Sequence, residues 1–181
     1  MSAFPKSRPL GFSLIELMVG VAIMAILLGL AMPNFQTWIR NSQIRNAAES
    51  VQNGLQKARA EAVTRNTNVE FVIGAGSSWV VKLPDVGGVA GAQIESRFSR
   101  EGSRDVTVAV TPAGATTVTF NNVGTVGVPL NPPFNTDASA PFTRVDFAAI
   151  GGSQNLRVTI GAGGNARMCD PNAPASSTRA C

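Results

Sequence analysis

Glu16 is the residue whose position demands a chemical explanation. It is the only ionisable side chain among the nineteen residues from Leu14 to Met32, and an acid inside a bilayer costs at least ~2.5 kcal/mol even on the most lenient insertion scale. A partner has to offset that cost. Cutting the Gly11-Phe12 bond would supply one, because the freed amine of Phe12 is a cation four residues away, able to pair with Glu16 of the same or a neighbouring subunit.

Other residues capable of chemistry are sparse. The chain has no histidine, so neither a Ser/His nor a Cys/His nucleophilic pair can be assembled. Glu95, Glu101, Asp105 and Asp146 sit among ordinary turn and strand residues and read as solvated surface. Gly161-Ala162-Gly163-Gly164 lacks the Lys-Ser/Thr that would make it a phosphate cradle, and it reads as a turn. Cys169 and Cys181 are the only cysteines; two thiols without histidine cannot supply the four ligands of a zinc site, so no metal and no cofactor is expected. In an oxidising compartment outside the inner membrane they would form a disulfide, stabilising the tail by ~3 kcal/mol on the chain-entropy model.

The element that must hold Glu16 is a helix. Nineteen residues at ~1.5 Å rise each roughly match the hydrocarbon thickness of a bilayer. Lys6 and Arg8, just before the run, keep that end cytoplasmic. A secretory signal would place its cleavage site after the apolar run, whereas Gly11 precedes it. Beyond Pro33, which marks a kink rather than a stop, Ile44, Ala48, Val51, Leu55, Ala58 and Ala62 recur every three or four residues and form one apolar stripe. The helix is therefore expected to continue to about Asn66. Gly20, Gly29 and Gly54 are each read as glycines tolerated within a long helix.

After Asn68 the period becomes two. Val69–Ile73 and Trp79–Leu83 flank a Gly/Ser turn as a β-hairpin. Further strands are expected at Ile94–Phe98, Val106–Val110, Thr116–Phe120, Arg144–Phe147 and Leu156–Ile160, about seven in all, with Pro129–Pro141 as a surface loop. One long helix followed by short strands predicts an α+β fold in which a mostly antiparallel sheet covers the stripe. The formal charge of +4 is scattered along the chain, with no block of the length a polyanion-binding tail would need.

The basic leader ending in Gly11, then Phe12-Ser13-Leu14-Ile15-Glu16-Leu17-Met18, then Pro33, resembles the type IV pilins and the pseudopilins of type II secretion. Thr119-Phe120 followed by Gly124, the late stretch through Gly164 and Arg167 to Met168-Cys169, and the helix segment Leu55–Arg65 are similar to the GspH/FimT type within that family. The resemblance implies cleavage by a prepilin peptidase between Gly11 and Phe12, N-methylation of Phe12, and docking of Glu16 into a helical filament of other pilins or pseudopilins, with Pro33, at the end of the apolar run, as a further assembly residue. An inner-membrane assembly platform and membrane lipid are further implied partners. The expected organisation is a leader at 1–11, a transmembrane and assembly helix at 12–33, an amphipathic spine at 34–66 and a periplasmic β-rich head at 67–181. The chain would be a single-pass protein of the bacterial inner membrane before it enters the filament.

Three roles share this anchor: a minor pilin priming a type IV pilus, a type II secretion pseudopilin, and a DNA-binding subunit for transformation. For the third, some minor pilins of the resembling GspH/FimT type bind DNA through a C-terminal Gly-Arg-x-Arg element. Gly164-Asn165-Ala166-Arg167 keeps the glycine and the last arginine but has Asn165 in place of the first. Arg157, Arg167 and Arg179 are the candidate phosphate contacts, against the blander reading of three separate solvated arginines.

Overall fold

The computed structural model describes residues 11–127 and 135–181. The leader up to residue 10, and residues 128–134, which include the first part of the expected proline-containing loop, lie outside the described residues. The chain divides into two units, one ending at Gln36 and the other running from Thr37 to Cys181.

Helix α1 spans Leu14–Arg65 and continues through Pro33. It ends where Asn66 adopts a left-handed φ of 49° and the Thr67 amide donates to the Ala62 carbonyl at 3.2 Å, which satisfies a terminal carbonyl after the helical ladder stops. In the second unit, Ile44, Ala48, Val51, Leu55, Ala58 and Ala62 are all fully buried. Ala47, Ser50 and Gly54 are buried beside them. Ser50 tolerates burial because the indole Nε1–H of Trp79 donates to its Oγ at 2.8 Å.

Two antiparallel sheets cover this stripe, where the pattern suggested one. The first has the order β3-β2-β1-β5, built from Gln93–Arg97, Trp79–Lys82, Val69–Ile73 and Thr117–Phe120. The second has the order β4-β6-β7-β8, built from Val106–Thr111, Arg144–Ala149, Leu156–Ile160 and Ala166–Cys169. Strand β8 has no counterpart in the sequence-based expectation, because Ala166-Arg167-Met168-Cys169 lacks a run of β-branched residues; its pairing with β7 supplies the order that propensity does not. Alternate residues face inward, so Val69, Phe71, Ile73 and Val118 of the first sheet share one core with Val145, Phe147, Val158 and Ile160 of the second.

Gly54 corrects the expectation of a merely tolerated glycine. A Cβ there would lie 2.7 Å from Phe71 and 3.0 Å from Trp79, so the absence of a side chain lets the aromatic face of the first sheet close onto the helix.

The outer edge of β5 is closed by a side chain. The Thr119 amide donates to Asn135 Oδ1 at 2.8 Å, and Asn135 Nδ2 donates to the Thr117 carbonyl at 3.0 Å. The Asn135 amide thus takes the place of a neighbouring strand and leaves fewer edge groups open to another chain. Asn135→Ala should lower stability by ~2 kcal/mol, since a buried donor and acceptor lose their partner together; thermal unfolding of the detergent-solubilised protein measures it.

The same loop carries an acid-sensitive contact. The Ser139 hydroxyl and then the Ser139 amide donate to Asp137, and these bonds hold its carboxyl below the ordinary aspartate range. A depressed folded value means the contribution is present above the unfolded pKa and is lost as pH falls through the folded one. Acidification below about pH 4 should therefore release residues 135–139, and a pH titration of the Ser139 amide by NMR will show a midpoint below that of an isolated aspartate.

Candidate functional site

The N-terminal unit begins with a capping arrangement. The Glu16 amide donates to Ser13 Oγ at 3.3 Å, and the Leu17 amide donates to the Ser13 carbonyl at 3.2 Å. Ser13 is therefore the N-cap of α1, with an acid at the third helical position, the spacing of a capping box. The Ser-x-x-Glu pattern was visible in the sequence. Its consequence is that Glu16 sits in the first turn of the helix, where the helix dipole favours a negative charge, and a few residues from the expected cleavage point.

Downstream of this cap the apolar surface is left bare. The run has a mean hydropathy of 2.5 and none of it is buried; Phe12 is 85% exposed and Leu14 78%. Isolated exposed apolar residues are ordinary, but a continuous sleeve of them requires a non-aqueous surrounding. Gly20 and Gly29 have nothing within 4 Å of where a Cβ would lie. The N-terminal unit therefore presents Gly11, Phe12 and Glu16 at the start of one apolar helix, with Pro33 inside that helix.

At the other end of the chain, Cys169 and Cys181 are joined by a disulfide. Cys169 is buried and Cys181 exposed. The tail is further held by the Asp170 amide donating to the Arg179 carbonyl at 2.7 Å and by Arg167 Nη2 donating to the Ala180 carbonyl at 3.0 Å. Arg157 and Arg167 line one surface groove, whereas Arg179 lines another with Arg45 and Asp170. Arg157 is moreover engaged by Asp146 at 2.6 Å, which also lies 3.6 Å from Arg144, so the outer face of the second sheet carries its own counter-ion.

Gly164 has a structural duty that the sequence does not reveal. Its φ is +77°, and a Cβ would fall 2.0 Å from the Gly124 carbonyl oxygen. That oxygen in turn accepts from Arg59 Nε at 2.9 Å. The glycine thus allows the β7–β8 turn to pack on the turn after β5 and on the helix, and its presence in Gly164-Asn165-Ala166-Arg167 needs no ligand to explain it.

Among the described residues no group of three or more His, Cys, Asp or Glu is placed to hold a metal. Charge on the helix surface is instead used in pairs. Arg65 and then Lys57 hydrogen-bond to Glu61 and hold its carboxyl below the usual range, and Arg45 meets Glu49 at 2.8 Å.

A capped apolar helix and a helix-backed pair of antiparallel sheets make up the α+β architecture of the type IV pilin class. The prokaryotic N-terminal methylation motif matches residues 6–32, and the family described as type II transport protein GspH matches residues 47–176. The chain belongs to the GspH family, whose members are structural pilin and pseudopilin subunits. The same fold occurs in the type IV minor pilin FimU of Pseudomonas aeruginosa strain PAO1, at 21% identity and a TM-score of 0.50, covering 74% of this chain and 90% of that one. It also occurs in the minor pseudopilin EpsH from the type 2 secretion system of Vibrio cholerae, at 13% identity and a TM-score of 0.51, covering 72% of this chain and 99% of that one.

Proposed function

We propose that this chain is a minor subunit of a type IV pilus that primes filament assembly, with no catalytic activity of its own. A prepilin peptidase cuts between Gly11 and Phe12, Phe12 is N-methylated, and residues 12–33 hold the subunit in the inner membrane with the leader cytoplasmic. Residues 34–66 then form the spine of a periplasmic head at 67–181. Glu16 guides the subunit from the membrane into a filament of other pilins through the assembly platform. The observation that carries this reading is the match of the methylation motif to residues 6–32, coinciding with a capped helix that sets the lone acid of the apolar run in its first turn.

The description of the matching family as a type II transport protein favours a second reading, a pseudopilin of type II secretion. Deleting the gene and measuring surface piliation alongside exoprotein release separates the two. Loss of pili with normal secretion is the expected result; normal pili with exoprotein retained in the periplasm would replace the pilus by the pseudopilus.

A further inference from the structure

The two ends of the globular unit differ along α1. At one end the turn between β6 and β7 is fixed to the start of the helix: Asn41 Oδ1 accepts the amides of Ser153 at 3.0 Å and Gln154 at 3.2 Å, and Asn41 Nδ2 donates to Ser153 Oγ at 2.9 Å. A Cβ on Gly151 would lie 2.7 Å from Arg40 Nη1, so the tip of the turn is against Arg40. At the other end the turns containing Gly124 and Gly164 meet Arg59 and Val63, roughly 28 Å farther along the helix at 1.5 Å per residue.

The Asn41 end is unlike an ordinary soluble surface. Ile150, at the tip of the turn, is 87% exposed, and Trp38 is 64% exposed. Arg40 forms no ion pair among the described residues. Acids are missing from both segments, since none occurs between Glu16 and Glu49 or between Asp146 and Asp170. The helix and β6–β7 segments of this end are thus apolar and cationic, with an indole among their exposed groups; beside them lies one acid from the neighbouring strand, Asp105, which precedes Val106, the β4 partner of Ala149.

We infer that the β6–β7 turn, with Ile150 at its tip and Gly151 against Arg40, forms with the exposed Trp38 of the helix a membrane-contact surface that rests on the outer leaflet of the inner membrane before the subunit enters a filament. The inference rests on the proposed anchoring by residues 12–33. Chain length keeps the contact within reach: Trp38 follows Met32 by only six residues, at most ~20 Å of chain, so it stays near the headgroup layer that flanks the hydrocarbon. Indoles concentrate at that level, and Arg40 is two residues farther on. An exposed isoleucine there enters the headgroup and acyl boundary, while the guanidinium meets lipid phosphates. The hydrogen bonds of Asn41 hold the turn at this level of the helix.

The test uses the full-length processed protein in nanodiscs of phosphatidylethanolamine and phosphatidylglycerol, with bimane on the added thiol of Ile150→Cys and, separately, of Val123→Cys. Val123 is 68% exposed and belongs to the Arg59 end, so it serves as the distant control. Lipid carrying a nitroxide near the headgroup should quench bimane at position 150 at least about twofold more than at position 123, because an interfacial side chain lies ~5–10 Å into that boundary. Equal quenching at the two positions in membrane-integrated protein would overturn the inference and leave the anchor intact. Failure of the chain to remain in the membrane on carbonate extraction would overturn the anchor itself. Protection of position 150 from aqueous iodide only when further pilin copies are present would assign the surface to a subunit contact instead of lipid.

Discussion

Glu16→Ala should leave membrane insertion unchanged and reduce incorporation into filaments by roughly fifty- to a hundredfold. The magnitude follows from the cost of an unpaired acid in the membrane, at least ~2.5 kcal/mol, taken as the scale of the docking interaction and converted at 1.36 kcal/mol per decade. Insertion depends on the apolar sleeve, which the substitution lengthens. Docking depends on the carboxylate meeting the ammonium exposed by cleavage. Glu16→Gln refines the result: it preserves size, capping position and hydrogen-bonding capacity while removing charge, so a loss equal to that of alanine assigns the effect to the ion pair. The measurement is the ratio of subunit in sheared filaments to subunit in membranes, by immunoblot. Incorporation at the parental level for both variants would remove Glu16 from assembly.

Gly164→Ala should destabilise the globular unit by about 3 kcal/mol or more, through two faults at one position. A side chain is strained at a φ of +77°, and its Cβ would sit 2.0 Å from the Gly124 carbonyl, a backbone atom that cannot swing aside like a flexible side chain. Relief by moving that carbonyl breaks its bond from Arg59 at 2.9 Å, so the helix, the turn after β5 and the β7–β8 turn loosen together. For a unit of this size the change is at least ~10 °C in Tm. Gly163→Ala is the control: the nearest atom its Cβ would meet is Asn165 Oδ1 at 3.9 Å, and its effect should stay below ~1 kcal/mol. A mild Gly164→Ala phenotype would mean that this three-way contact is not closed in solution.

The N-terminal apolar helix and the methylation motif were legible in the residues because their signal is local: one acid in nineteen apolar positions, a glycine before a phenylalanine, a proline at the end. The helical stripe was equally plain, since burial of every third or fourth residue is recorded in residue type, and Ile44 through Ala62 carry it. Hairpin β1–β2 could be read for the same reason. Other features depend on residues far apart in the chain and left no comparable trace. Ser50 is silent until Trp79 is seen to bond to it, and Gly54 looks like any helical glycine until Phe71 and Trp79 are seen pressing on it. The division of the described strands into two sheets and the closure of β5 by Asn135 are decisions of pairing. Periodicity fixes which face of an element is apolar; only tertiary contact decides which neighbour covers it.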